Sequence, residues 1–186
     1  MEVLRLKHVY ILLSRTATAP SRFIHFFTGG AYTHVSIATE PATDKFFSYA
    51  RRSMRNILNA GLISENTQEK IFAVYPDSPC AIYELSVTEK SYEIIEKLIE
   101  YYWANYKKCK YSFVGVIPML FGIDRRLRFR MTCSQFVALL LSRSQAAALP
   151  KAPSLMRPND FLHIGELKLI YKGTIGNCQF PEAILG

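Results

Sequence analysis

The sequence predicts an α+β fold in which an antiparallel sheet packs against helices. Three observations predict it. Short apolar or alternating segments, the mark of strands, fill the first half of the chain. Two segments with helical apolar spacing follow, at 88–104 and from 133 onward. A last strand-like segment at 167–172 closes the chain. Strands grouped ahead of helices give segregated layers rather than alternating parallel units.

Taken in order, residues 8–14 (His-Val-Tyr-Ile-Leu-Leu-Ser) are apolar between polar flanks and read as a buried strand. Residues 21–28 follow Pro20, carry Phe23, Ile24, Phe26 and Phe27, and read as a short helix capped by Ser21 and stopped by Gly29 and Gly30. Residues 34–39 alternate as a strand. Pro41 turns the chain over 40–44, and 45–50 returns as the second arm of a hairpin. Residues 51–67 are mixed in character, hold Asn59, Ala60 and Gly61, and read as a loop or partial helix. Two strands are expected at 71–75 and 81–86, joined by a turn between Pro76 and Pro79. Thr88 caps the clearest helix, whose stripe is Ile94, Ile95, Leu98, Ile99 and Tyr102. The apolar stretch 111–121 is broken by Gly115 and Pro118. A helix from Cys133 ends near Ser142, 144–158 reads as a connector, and 157–162 as a turn into a short helix.

A chain of 186 residues with 49% apolar content is long enough for one domain with a real core, spanning 1–186, and is too apolar for disorder. No apolar run approaches the roughly 20 residues of a membrane span. The start, Met1-Glu2-Val3-Leu4-Arg5-Leu6-Lys7, does not read as a signal peptide, so a reducing cytoplasm is the expected compartment. The four cysteines are scattered and none forms CxxC, which argues against a disulfide framework and a zinc site; no metal and no cofactor is expected. The net charge of +8 is concentrated at Arg51, Arg52 and Arg55, at Lys107, Lys108 and Lys110, and at Arg125, Arg126, Arg128 and Arg130. Such clusters are commonly solvated surface. They also suit an anionic substrate group, a membrane surface or nucleic acid. No nucleic-acid motif accompanies the charge, so nucleic acid is not the expected partner.

Cys133 is the candidate nucleophile. It opens an apolar helix behind Thr132, and a cysteine in a helix's first turn meets unpaired N–H groups and the positive end of the dipole, which favour thiolate. The same amides, those of Cys133 and Ser134, suit an oxyanion. Cys80, Cys109 and Cys178 lack that setting and read as structural. Far upstream, His34 lies in the alternating run Tyr32-Thr33-His34-Val35-Ser36-Ile37-Ala38, with Val35 and Ile37 on one face and the imidazole beside small residues on the other, which leaves room for a cleft. His8, His25 and His163 are its rivals. A strand histidine facing a helix-start cysteine is the minimal pair for cysteine catalysis. A third group usually orients the imidazole. Hairpin arithmetic sets His34 opposite Ser48 or Tyr49, which makes Ser48 the candidate orienter; Glu40 and Asp44 lie too near the loop. An ordinary strand serine bonded locally is the alternative for Ser48. The Tyr111 hydroxyl suits an oxyanion hole, or the ring is packing.

Five segments together resemble a known family: 10–16 (Tyr-Ile-Leu-Leu-Ser-Arg-Thr), 32–38 around His34, 47–52 (Phe-Ser-Tyr-Ala-Arg-Arg), 110–113 (Lys-Tyr-Ser-Phe) and 132–138 around Cys133. The chain resembles the circularly permuted NlpC-like branch of the papain-fold cysteine hydrolases, of the YiiX/YebB-like type, over roughly residues 8–140. The resemblance implies a papain-like α+β fold with an antiparallel sheet packed against the helix carrying the cysteine. It implies Cys133 as nucleophile, His34 as general base, a polar third residue on the next strand, and Tyr111 near the oxyanion hole. Relatives often carry His, Glu or Gln at that third place, where this chain offers Ser48.

The leading expectation is a hydrolase that cleaves an amide or ester through a thioester acyl-enzyme, acting on a small-molecule, peptide or lipid-like substrate with an anionic group. Two further readings stand beside it. One is a lipid acyltransferase of the lecithin–retinol acyltransferase type, suggested by the aromatic 23–27 segment and the basic clusters. The other is a catalytically silent binding module, suggested by the weak orienter Ser48. Oligomeric state is not legible.

Overall fold

The computed structural model describes residues 6–15, 30–42, 44–53, 56, 59–112 and 128–180. The helix expected at 21–28 and most of the 111–121 stretch lie outside these residues, as do Arg55, Arg125 and Arg126. The elements are β1 (Leu6–Ser14), β2 (His34–Ala38), β3 (Phe46–Arg51), β4 (Ala60–Glu65), α1 (Lys70–Val74), β5 (Pro79–Thr88), α2 (Glu89–Ala104), β6 (Lys110–Tyr111), β7 (Arg130–Met131), α3 (Cys133–Ser144) and β8 (Leu167–Thr174). Short 3₁₀ turns occupy Pro153–Leu155, Pro158–His163 and Ile175–Asn177.

Among the described residues the strands form a single sheet in the order β7-β6-β4-β3-β2-β1-β5-β8. Every pairing is antiparallel except β6 with β7, which is parallel. The class is therefore α+β, as expected. β1 lies between β2 and β5, with Ser14 opposite His34 on one side and Cys80 on the other. Its apolar run is buried on both faces, as a central strand's must be. Val9, Ile11 and Leu13 point into the larger core with Val35, Ile37, Tyr49, Ile95 and Phe136. Tyr10 and Leu12 point into a smaller core with Phe46, Phe72, Ile82 and Phe180. α2 and α3 cover the larger core and pack on each other; α3 lies across β2 and β3.

Two expectations fail in the middle of the chain. The strand expected at 71–75 is instead the short helix α1, Lys70–Val74, with Tyr75 as its C-cap. An apolar run this short carries no period that separates the two states, and only Phe72 is buried. Residues 60–65, expected in a loop or partial helix, are the strand β4, paired with β3 along six residues from Phe46↔Glu65 to Arg51↔Ala60. Gly61 looked like loop punctuation. It is a close-approach glycine: a Cβ there would lie 2.1 Å from the Cys109 carbonyl oxygen, and the bare backbone admits the pairing of β4 with β6. Among the described residues no helix is long and apolar enough to cross a membrane.

Candidate active site

Cys133 is the first residue of α3, and the helix start is built to hold it. Thr132 has extended backbone and its Oγ1 accepts from the Gln135 amide at 3.3 Å, while Gln135 Oε1 accepts from the Thr132 amide at 3.0 Å. This reciprocal capping box fixes the direction in which the helix enters. Gln135 Nε2 also donates to the Ser154 carbonyl at 2.7 Å, tying the turn to the Pro153–Leu155 segment. The Thr132 carbonyl takes the Phe136 amide at 3.1 Å. None of these bonds uses the Cys133 or Ser134 N–H, the two amides a bound oxyanion would need. The Ser134 hydroxyl lies 3.2 Å from Thr132 Oγ1 and belongs to the cap, so Ser134 can contribute to such a hole through its backbone.

His34 is the first residue of β2. Its Nε2 sits 2.9 Å from both Oε1 and Oε2 of Glu65, the last residue of β4. The pair is secluded, with side-chain exposures of 17% for His34 and 5% for Glu65. Burial is the largest single influence and pushes the imidazole's pKa down; the Glu65 carboxylate, the hydrogen bonds to Cys133 and Glu65 and the charge of Cys133 together outweigh it, so His34 titrates well above its ordinary 6.5. With Nε2 held by the carboxylate, Nδ1 is the nitrogen left for the thiol. The structure thus brings together the two residues that the sequence singled out, Cys133 and His34.

Ser48 is not the orienter. Its buried hydroxyl donates to the Val35 carbonyl at 2.6 Å, a local bond across the hairpin. The reason is register: Ile37 pairs with Phe47, which carried one step on places Ser48 across from Ser36 rather than His34. Glu65 takes the role, and it was missed because β4 was not recognised as a strand. The usable signal was an acid ending an apolar stretch, Ala-Gly-Leu-Ile-Ser-Glu. The small-residue face beside His34 does not open a cleft either. Ser36 and Ala38 are fully buried, Ala38 in the smaller core, and it is Val35 and Ile37 that share a core with Cys133. His34 meets the thiol because it stands at the strand's end.

A second unforeseen residue sets the approach to β2. Asn159 receives a hydrogen bond from the Tyr32 amide at 3.0 Å on Oδ1 and donates through Nδ2 to the Tyr32 carbonyl at 2.6 Å. This imitates a ladder rung and pins the backbone two residues before His34. Gly30 makes room for it, since a Cβ there would lie 1.9 Å from Asn159 Nδ2. Nothing in the sequence around Pro158 and Asn159 announces the contact.

Tyr111 ends β6, and its parallel pairing with Met131 sets it beside the strand that feeds into Cys133. Burial pushes the phenol's pKa far up, and the nearness of Cys133 raises it further, so it remains a neutral O–H donor beside the thiol. Cys80, Cys109 and Cys178 are buried: Cys80 and Cys178 sit in the smaller core, and Cys109, in the larger core, donates its thiol to the Tyr102 carbonyl. Arg52, one of the expected anion-binding cations, is used structurally, donating through Nη2 to the carbonyls of Tyr106 and Cys109.

In comparison with known proteins, no family model, no curated protein and no solved structure matches this chain. The function therefore rests on the site itself: a thiol at a helix start, an imidazole beside it, a carboxylate behind the imidazole and a phenol nearby.

Proposed function

We propose that this chain is a cysteine hydrolase that cleaves an amide or ester through a thioester acyl-enzyme, on a permuted NlpC-like, papain-like scaffold. The observation that carries the reading is His34 held between Glu65 and Cys133. The chain order, with the His strand ahead of the Cys helix, agrees with the permuted arrangement.

In the proposed reaction the Cys133 proton passes to His34, and the sulfur attacks the substrate carbonyl carbon. Glu65 stabilises the imidazolium that forms, as a carboxylate does in a catalytic triad and a serine hydroxyl would not. The carbonyl oxygen takes up negative charge, facing the Cys133 and Ser134 amides and the Tyr111 hydroxyl. The imidazolium returns its proton to the departing amine or alcohol, which leaves a thioester on Cys133. Water, deprotonated by His34, then releases the acid and regenerates the thiol.

Intact-mass spectrometry after incubation with activated esters and anilides of short acyl chains tests this. The expected result is an acyl adduct on Cys133 that disappears with time and is absent from Cys133→Ala. His34→Ala should slow adduct formation roughly 100- to 10,000-fold, the usual worth of a general base. Adducts that form equally on Cys133→Ala would overturn the proposal.

A further inference from the structure

Two of the seven exposed large apolar side chains among the described residues stack on each other, Trp103 and Tyr106, each at 42% exposure; a third, Tyr101, lies two positions before Trp103 and packs with Phe129 and Arg128 instead. They stand at the C-terminal end of α2 and in the turn that follows. Cations surround them. Lys107, Lys108 and Lys110 continue the chain from Tyr106, all exposed, and Lys110 pairs across the β6–β7 ladder with exposed Arg130. No acid occurs in 101–111 or in 128–130; the nearest along the helix is Glu100.

We infer that this aromatic and basic end of α2 is a docking surface for an anionic lipid bilayer. Amphipathic rings with a rim of lysine and arginine are what the headgroup layer accepts: the rings enter the boundary zone, and the cations stay with lipid phosphates. The ring packing favours a bilayer over single-stranded nucleic acid. Trp103 stacks on Tyr106 with centroids 5.8 Å apart, Phe47 meets Trp103 edge-on at 5.6 Å, and the Arg52 guanidinium lies over Tyr106 at 5.6 Å. Each ring already packs on a neighbour, which leaves less face for a base to stack on, while the exposed remainder can enter a lipid boundary. The surface also adjoins the candidate site. Lys110 precedes Tyr111, and β7 leads through Thr132 into Cys133, so docking would hold the site close to the membrane plane. The docking inference does not depend on the chemistry proposed for Cys133.

Trp103 is the chain's single tryptophan, so its fluorescence reports directly. The full chain would be mixed with vesicles of equal parts phosphatidylcholine and phosphatidylglycerol, with vesicles of phosphatidylcholine alone, and with a single-stranded oligonucleotide. The inference expects a blue shift of Trp103 emission and co-sedimentation with the anionic vesicles, much weaker effects with neutral ones, and loss of binding at high salt. Lys107→Ala/Lys108→Ala, two exposed changes that leave the core intact, should weaken vesicle affinity roughly thirtyfold, about fivefold per cation. Cys133→Ala should bind vesicles as the wild type does, which separates this inference from the hydrolase reading. No shift with anionic vesicles, undiminished binding by the double variant, or a response to the oligonucleotide instead would overturn it.

Discussion

Glu65 decides how His34 behaves. An imidazole this secluded, without a partner, would lose its proton more easily than in water. Placed 2.9 Å from a carboxylate and hydrogen-bonded to Cys133 as well, it holds that proton instead. In Glu65→Gln the desolvation remains and the compensating charge is gone, so the His34 midpoint should fall from well above 6.5 toward or below it. A titration of the imidazole carbon-bound protons by NMR reads this directly, and an unchanged midpoint would show that the carboxylate does not govern the ring. Ser48→Ala gives the opposite expectation. It removes a bond to the Val35 carbonyl, so it should cost about 1 kcal/mol of stability and leave the His34 midpoint where it was. Denaturant unfolding and the same titration check both halves. Cys133 and His34 were legible because their surroundings carry strong local signals, a capping threonine before an apolar helix and an alternating strand. Glu65 was not, because its role depends on the packing of two strands distant in sequence.

At the scale of elements, the site depends on how α3 starts and how β2 is entered. The capping box at Thr132 and Gln135 was half visible in the sequence, since the threonine stands in the expected place. Thr132→Ala should cost about 1 kcal/mol, within the usual range for a lost N-cap, and thermal melts would measure it. The entry to β2 was not visible. Asn159 holds the Tyr32 backbone from a 3₁₀ turn that lies far along the chain, a contact that only the tertiary fold creates. Asn159→Ala should cost about 1–2 kcal/mol, because two backbone groups lose their partner. It should also reduce Cys133 reactivity beyond what the stability loss explains; a variant less stable but equally reactive would limit Asn159 to holding the loop. The failures at α1 and β4 share a cause. Both are short, and tertiary packing rather than any local preference decides their state.

Across the whole molecule, the grouped order of strands and helices was enough to give the α+β class, and the buried run of β1 was enough to mark a central strand. One end of the sheet was beyond reach, since β6 and β7 are two residues long and are recognisable only by their pairing, whereas β8 at the other edge matches the strand expected at 167–172. The His34–Glu65 pair also ties the site to global stability. His34 is raised in the folded state, so its contribution is fully present below its unfolded value of about 6.5 and is lost as pH rises through the folded value. The stability gap between wild type and Glu65→Gln should therefore narrow as pH rises through that region, which melting curves across pH would record; a gap that widens would give the pair the wrong sign.

The central claim is that Cys133, His34 and Glu65 act as one unit. The most direct test is the rate of Cys133 alkylation by iodoacetamide against pH in wild type, His34→Ala, Glu65→Gln and Ser48→Ala. The expected result is a wild-type profile that His34→Ala abolishes, Glu65→Gln shifts and Ser48→Ala leaves in place. Four superimposable profiles would mean that the thiol answers to neither partner and that the three residues do not act together.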